Sequence, residues 1–207
     1  MILALDTSTP ACTAALFAAD GNVFARADQV IGRGHAEYLA PMIADMLSGH
    51  TASMIWVGVG PGSFTGLRIG IACAQGLGIG WEIPVLGMDS LALIAAGAAG
   101  DGPIAVAVNG GHGEIFVAQY DRPGLVPTHP VANLTPAAAA LVIDAPLVIG
   151  SGAAALVAAR GHGEAIDRLP AAADAQSLPA ALRTLPASPI YARAPDARPA
   201  IAQLAPA

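Results

Sequence analysis

The sequence contains no lysine; all nine of its basic residues are arginine, set against fifteen acids for a formal net charge of −6. A chain without lysine forms no lysine Schiff base and completes no GxxxxGK[ST] phosphate loop. The acidic balance makes it a poor candidate for gripping RNA or DNA unaided, because tracking a nucleic-acid backbone needs a basic surface. Cysteine is scarce. Cys12 and Cys73 lie far apart with no metal-ligand spacing, and they read as two free thiols in a cytoplasmic protein. Charge of either sign is low, at 12% of residues, yet no clean membrane span results. The long uncharged stretch from Pro123 to Ile143 is broken by Pro127, Pro130 and Pro136. The N-terminus, MILALDTSTP, lacks a basic region and meets Asp6 at once, so no signal peptide is expected.

What is present is apolar: 55% of the 207 residues are hydrophobic, enough for one domain or two small ones and too much for a disordered chain. Ile2 to Leu5 reads as a strand ending on Asp6, Cys12 to Ala18 as a second strand, and Asn22 to Ala27 as a third after the hairpin signal Asp20-Gly21. Leu39, Met42, Ile43, Met46 and Leu47 then fall at i, i+3, i+4, i+7 and i+8, an amphipathic helix that Pro41 either starts or kinks. Ile55 to Val59 is a buried strand. A glycine-rich turn comes next, and Ser63 or Thr65 caps a helix running to about Ile79. Pro84 to Gly87 is a short strand, with Asp89 or Ser90 capping a helix through about Ala96. On layer rules the class is α/β or α+β, and the element order looks like the ribonuclease H-like unit that actin-like ATPases and sugar kinases carry twice.

Beyond the linker Ala99-Gly100-Asp101-Gly102-Pro103 the pattern restarts. IAVAVNGGHGEIFVAQYD parallels LALDTSTPACTAALFAAD, which suggests an internal duplication with fewer clear helices in the second copy. Thr135-Pro136 starts a helix, Leu147 to Gly150 is a strand, and Ala153 to Arg160 is a short helix ended by Gly161. The reading is therefore an actin-like (ribonuclease H-like) α/β fold of two lobes. The first covers residues 1–100, and the second is a smaller degenerate lobe over 103–207 whose last segment can pack back on the first.

The stretch GVGPGSFTGLRIGIACAQGLGIG, residues 58 to 80, raises the question of phosphate binding. It fits neither fingerprint. A GxGxxG frame from Gly58 meets Ser63 and one from Gly60 meets Thr65, where a third glycine belongs. Backbone N–H groups of the turn could still hold an anion. That leaves Asp6, Thr7, Gly60, Gly62, Ser63 and Thr65 as weak candidates for a cofactor site, and no cofactor is expected of the chain itself. Ser63 is not a GxSxG nucleophile either, because Pro61 and Thr65 occupy the glycine positions. The helix behind the turn gives another explanation. Gly66, Gly70, Ala74 and Gly78 recur every four residues as one narrow face, with Gly76 and Gly80 off it. Interior glycines at 70, 76 and 78 cost roughly 3 kcal/mol of helix stability relative to alanine, and close approach of another backbone would offset that. The partner is either the chain's own domain or a helix bundle with another molecule, shared with the Met-containing helix at 35–48.

Other chemistry is thinly supported. A two-metal nuclease needs several acids, and the strand IWVGVG supplies none. An actin-type ATPase wants a second Asp at the matching strand end of the second lobe, where Asn109-Gly110-Gly111 stands instead. Asp6 then reads as a turn residue accepting backbone hydrogen bonds. His35, His50, His112, His129 and His162 show no HxxxH or HExxH pairing, which leaves no helix-borne zinc site; each reads as a surface or turn residue.

The glycine-rich stretch resembles the signature of the TsaB (YeaZ) family, bacterial partner proteins in tRNA threonylcarbamoyladenosine synthesis. LALDTSTPACTAAL, His35 followed by LAPMI, IPVLGMDSL, GEIFVAQY and PIYAR are similar to the same family, while Asn109-Gly110-Gly111 departs from it. The resemblance implies a non-catalytic, actin-like subunit that pairs with a TsaD-like catalytic subunit through its two first-lobe helices. A TsaE-like ATPase would join that pair, and alone the chain would form a homodimer through the same surface. It further implies that tRNA is met only through the complex, with no membrane, and that any nucleotide would sit at the subunit junction. The interface expected is Gly66, Arg68, Gly70, Ala74 and Gly78 with Leu39, Met42, Ile43 and Met46. Gly70→Leu or Ala74→Glu should then abolish partner binding in a folded protein. Arg68 is expected to make a fixed hydrogen-bonded contact near the turn. The alternative is an actin-fold ATPase or small-molecule kinase using Asp6 and the Gly60–Thr65 turn.

Overall fold

The computed structural model describes residues 1–192; Arg193, which ends PIYAR, and the rest of 193–207 lie outside the described residues. The first lobe runs β1 (Ile2–Asp6), β2 (Ala11–Phe17), β3 (Val23–Val30), α1 (His35–Leu47), β4 (Met54–Gly60), α2 (Phe64–Trp81), β5 (Val85–Asp89) and α3 (Ser90–Ala96). The second runs β6 (Ile104–Gly111), β7 (Glu114–Asp121), β8 (Val126–Leu134), α4 (Pro136–Ala139), β9 (Leu147–Ile149), α5 (Ala153–Arg160) and β10 (Glu164–Ile166). A 3-10 helix, Ala172–Ser177, and α6 (Ala180–Arg183) complete the described chain.

The two sheets have one topology. The first is ordered β3-β2-β1-β4-β5 and the second β10-β9-β6-β7-β8, which is the same order read from the other edge. In each, a three-strand antiparallel meander is extended by two parallel strands reached through helical crossovers. This repeated unit is the actin-like two-lobe fold expected from the element order.

Local chemistry explains most element ends. Ser63 accepts a hydrogen bond from Gly66 N–H, Asp89 from Ala92 N–H and Thr135 from Ala138 N–H, three side-chain caps at helix starts. Gly161 closes α5 in the left-handed conformation at φ +80°. Pro41 sits inside α1, which begins at His35 and continues through it. The stretch holding Pro127 and Pro130 is a strand, β8. It tolerates two prolines because it is a sheet edge, where a missing N–H costs no ladder bond on the open side.

The core has three apolar layers. Leu39, Ile43, Ile71 and Ala74 from α1 and α2 meet Leu3, Leu5, Leu16 and Val57 on one face of the first sheet. Trp56, Met88 and Leu91 share a central layer with Val106, Phe116 and Tyr120, joining the lobes. Ala139, Ile143 and Leu156 cover the far face of the second sheet. The segment after Pro170 returns to the first lobe: Ala172 N–H donates to Thr13 Oγ1 at 2.8 Å, Gly87 and Leu185 form an antiparallel bridge, and Ile190 N–H donates to Val59 O at 2.8 Å. No helix among the described residues is long and apolar enough to cross a membrane.

Candidate functional site

The glycine-rich turn is built around close backbone contact with the end of β1. A Cβ placed on Gly62 would lie 2.3 Å from Ser8 O, one on Gly66 2.0 Å from Thr7 O, and one on Gly58 1.8 Å from Asp6 Oδ2. Gly60 turns at φ +107°, a conformation that favours glycine. Hydrogen bonds sew the two segments together, with Ser63 N–H donating to Ser8 O at 2.7 Å and Thr7 Oγ1 to Gly66 O at 2.8 Å. The turn therefore binds its own chain.

Asp6 is sealed beneath this turn, 0% exposed. Its Oδ1 accepts from Ser8 N–H at 2.8 Å and from Ser8 Oγ at 2.7 Å; its Oδ2 accepts from Ser90 Oγ at 2.7 Å. Ser90 Oγ in turn accepts from Gly60 N–H at 3.1 Å, so one carboxylate ties β1, β4 and α3 together. Burial raises the Asp6 pKa above the usual carboxylate value, opposed by the hydrogen bonds from Ser8 and Ser90. Burial, with the Asp6 charge adding to it, also pushes the Cys12 thiol up to about 11. Both carboxylate oxygens of Asp6 are thus engaged by groups of the chain itself.

A cleft of about 960 Å³ opens between the lobes. Of the weak cofactor candidates, Gly62, Ser63 and Thr65 line it, whereas Asp6, Thr7 and Gly60 do not. Across the cleft Asn109 is tied down, its N–H donating to Ser151 Oγ and its Nδ2 to Ser151 O, both at 3.1 Å. At the mouth, Arg68 Nε donates to Tyr191 Oη at 3.0 Å while its guanidinium lies 3.8 Å over the Phe64 ring. The fixed contact expected of Arg68 is thus made within the chain, to a residue 123 positions away.

The expected helix interface needs a correction. Gly66, Gly70, Ala74 and Gly78 are buried against the chain's own sheet, with Gly70 facing Thr7 Oγ1 and Gly78 facing Val85. Leu39, Met42 and Ile43 are buried in the same layer, Met46 packs at its margin, and Arg68 alone of the nine is exposed. Gly70→Leu and Ala74→Glu would accordingly strike the core. The surface left open on α2 is the opposite stripe, Ala72, Gly76 and Gly80, with Ile79 80% exposed. A Cβ on Gly76 or Gly80 would meet nothing within 4 Å.

His35 corrects a second expectation. It is 6% exposed, with Nε2 3.0 Å from Thr9 O and 3.1 Å from Ala11 O, which requires the hydrogen on Nε2 and pins the start of α1 to the turn before β2. Among the described residues, no three His, Cys, Asp or Glu come together as a metal-binding group.

Comparison with known proteins agrees with this architecture. The family model for TsaD, tRNA N6-adenosine threonylcarbamoyltransferase, matches residues 28–135. The solved structure of YeaZ from Pseudomonas aeruginosa superposes with a TM-score of 0.77 at 31% identity, covering 92% of this chain and 98% of that one. The chain belongs to the TsaB (YeaZ) family. The TsaB protein of Escherichia coli, described as a tRNA threonylcarbamoyladenosine biosynthesis protein, is 40% identical over 129 residues, 58% of this chain. That match spans just over half the length (55%) of the E. coli TsaB. An uncharacterised protein of Mycobacterium tuberculosis is 34% identical over 212 residues, 96% of this chain and 94% of that one, so likeness extends through both lobes.

Proposed function

We propose that this chain acts in tRNA threonylcarbamoyladenosine synthesis as a non-catalytic subunit, holding a TsaD-like catalytic subunit and, through that pair, a TsaE-like ATPase. The observation that carries the reading is the two-sided α2: its inner small-residue face is consumed by the sheet, and its outer face keeps a second one open at Ala72, Gly76 and Gly80. Glycine at exposed interior helix positions costs about 1 kcal/mol each relative to alanine, and an approaching backbone repays that. Supporting it, Asp6 is locked into the fold and the matching strand end carries Asn109 bonded to Ser151, leaving the cleft without the acid pair that phosphoryl chemistry on this fold would use. In the cytoplasm the same outer face would serve a homodimer when the partner is absent, and tRNA would be met only through the assembled complex.

The test uses the face itself. Ala72→Glu and Gly76→Leu should leave the melting temperature at or above that of the parent, because neither new side chain meets the core. Both should abolish co-purification with a co-expressed TsaD-like subunit and fail to restore threonylcarbamoyladenosine in the tRNA of a depleted strain. Undiminished co-purification would refute the reading.

A further inference from the structure

Four sheet edges occur among the described residues, and three are covered, blunted by proline or short. β5 is bridged by Leu185, β8 carries Pro127 and Pro130, and β10 is only three residues long. The fourth, β3, is eight residues long, has no proline, and no described segment pairs with its outer side. It also carries exposed apolar side chains: Val23 is 44% exposed, Phe24 52% and Val30 73%. A long edge with unpaired backbone groups and exposed hydrophobics is a template for another strand.

The sequence of this edge is complementary to itself. Around Ala27, residues 26, 28 and 30 are Arg, Asp and Val and share one face of the strand, while a bulge at Val23–Ala25 breaks the alternation before Phe24. We propose that β3 pairs antiparallel with β3 of a second copy, Ala27 opposite Ala27, joining two first-lobe sheets into one sheet of ten strands. In that register Arg26 stands directly opposite Asp28 of the second copy, twice by symmetry. Directly opposed charges of opposite sign favour an antiparallel pair, and like charges oppose it. A two-fold contact of this kind uses one patch on both molecules and closes at a dimer. Thr13 Oγ1 of the neighbouring strand donates to Asp28 Oδ1 and fixes that carboxylate on its own sheet. The edge lies on the meander side of the sheet, separate from the outer face of α2, so the two contacts are independent.

The experiment is charge exchange in the full chain, in a Gly76→Leu background that removes association through α2, read by sedimentation velocity and multi-angle light scattering. The parent should dimerise with rising concentration. Arg26→Asp and Asp28→Arg should each stay monomeric alone, by at least a tenfold weakening, yet form a one-to-one heterodimer when mixed, since every opposed pair is then Asp with Arg. The doubly exchanged chain should dimerise like the parent, which separates lost pairing from lost folding. A parent that stays monomeric throughout, singly reversed chains that dimerise unchanged, or a mixture that fails to associate would each overturn the proposal.

Discussion

The two lobes share a topology but not a use of it. At the end of the fourth strand of each lobe the chain turns through a glycine of positive φ and a second glycine two residues on: Gly60 and Gly62 in the first, Gly150 and Gly152 in the second. Each turn passes close behind the first strand, with Ser63 N–H bonded to Ser8 O and Gly152 N–H to Ala107 O at 2.9 Å. The helices beyond the turns differ. The first lobe sends out an 18-residue helix against its sheet, whereas the second has eight residues of alanine-rich α5. The first-strand end is a buried, fully bonded Asp6 in one lobe and an exposed Asn109 in the other. The repeat teaches that a glycine-rich turn after the fourth strand belongs to the packing of this unit, since it persists in the lobe with no long helix to present.

The comparison can be broken most sharply at the paired glycines. Gly62→Ala drives a methyl toward the backbone oxygen of Ser8 and is expected to cost about 2–3 kcal/mol in denaturant unfolding. Gly152→Ala first meets Cγ2 of the Ile115 side chain at 2.8 Å, with the Ala107 backbone farther off at 3.3 Å, so a smaller cost of about 1–2 kcal/mol is expected. Equal costs would mean that the two turns are equally tight. Next come the strand-end polar locks. Ser90→Ala removes the donor to a buried carboxylate oxygen and should cost roughly 2–3 kcal/mol, while Ser151→Ala at exposed Asn109 should cost about 1 kcal/mol or less.

The smallest effect is one of pH. Asp6 has its folded pKa raised by burial, so its stabilising contribution is complete below the unfolded value and is lost as pH rises through the folded one. Compared with Asp6→Asn, the parent should therefore gain melting temperature as pH is lowered toward about 4, the ordinary Asp range. A parent that loses ground relative to the Asn variant over that range would place the folded pKa below the unfolded one.

Much of the fold could be read in advance because its signals are local. Ser63, Asp89 and Thr135 cap helices from within three residues, and Asp20-Gly21 marks its own hairpin. The failures concern partners that lie far off in the chain. Two stripes on α2 repeat every four residues, 66-70-74-78 and 72-76-80, and the period alone does not say which one meets the sheet. The partner that decides is the end of β1, some sixty positions earlier. His35 is hidden for the same reason, its acceptors being backbone carbonyls 24 and 26 residues away. The strand β8 is hidden by its prolines, which only its place at a sheet edge permits.

The return of the chain from Ala172 to Tyr191 has a consequence for the order of assembly. The first lobe leaves the ribosome as a finished run of strands and helices by residue 96, yet Thr13 waits for the N–H of Ala172 and β5 for the bridge from Leu185. During synthesis at about 5–20 residues per second, that lobe stands uncovered for several seconds or more while the second is made. Its β5 edge is closed by nearly the last of the described chain, so the first lobe is completed only after the second has been made.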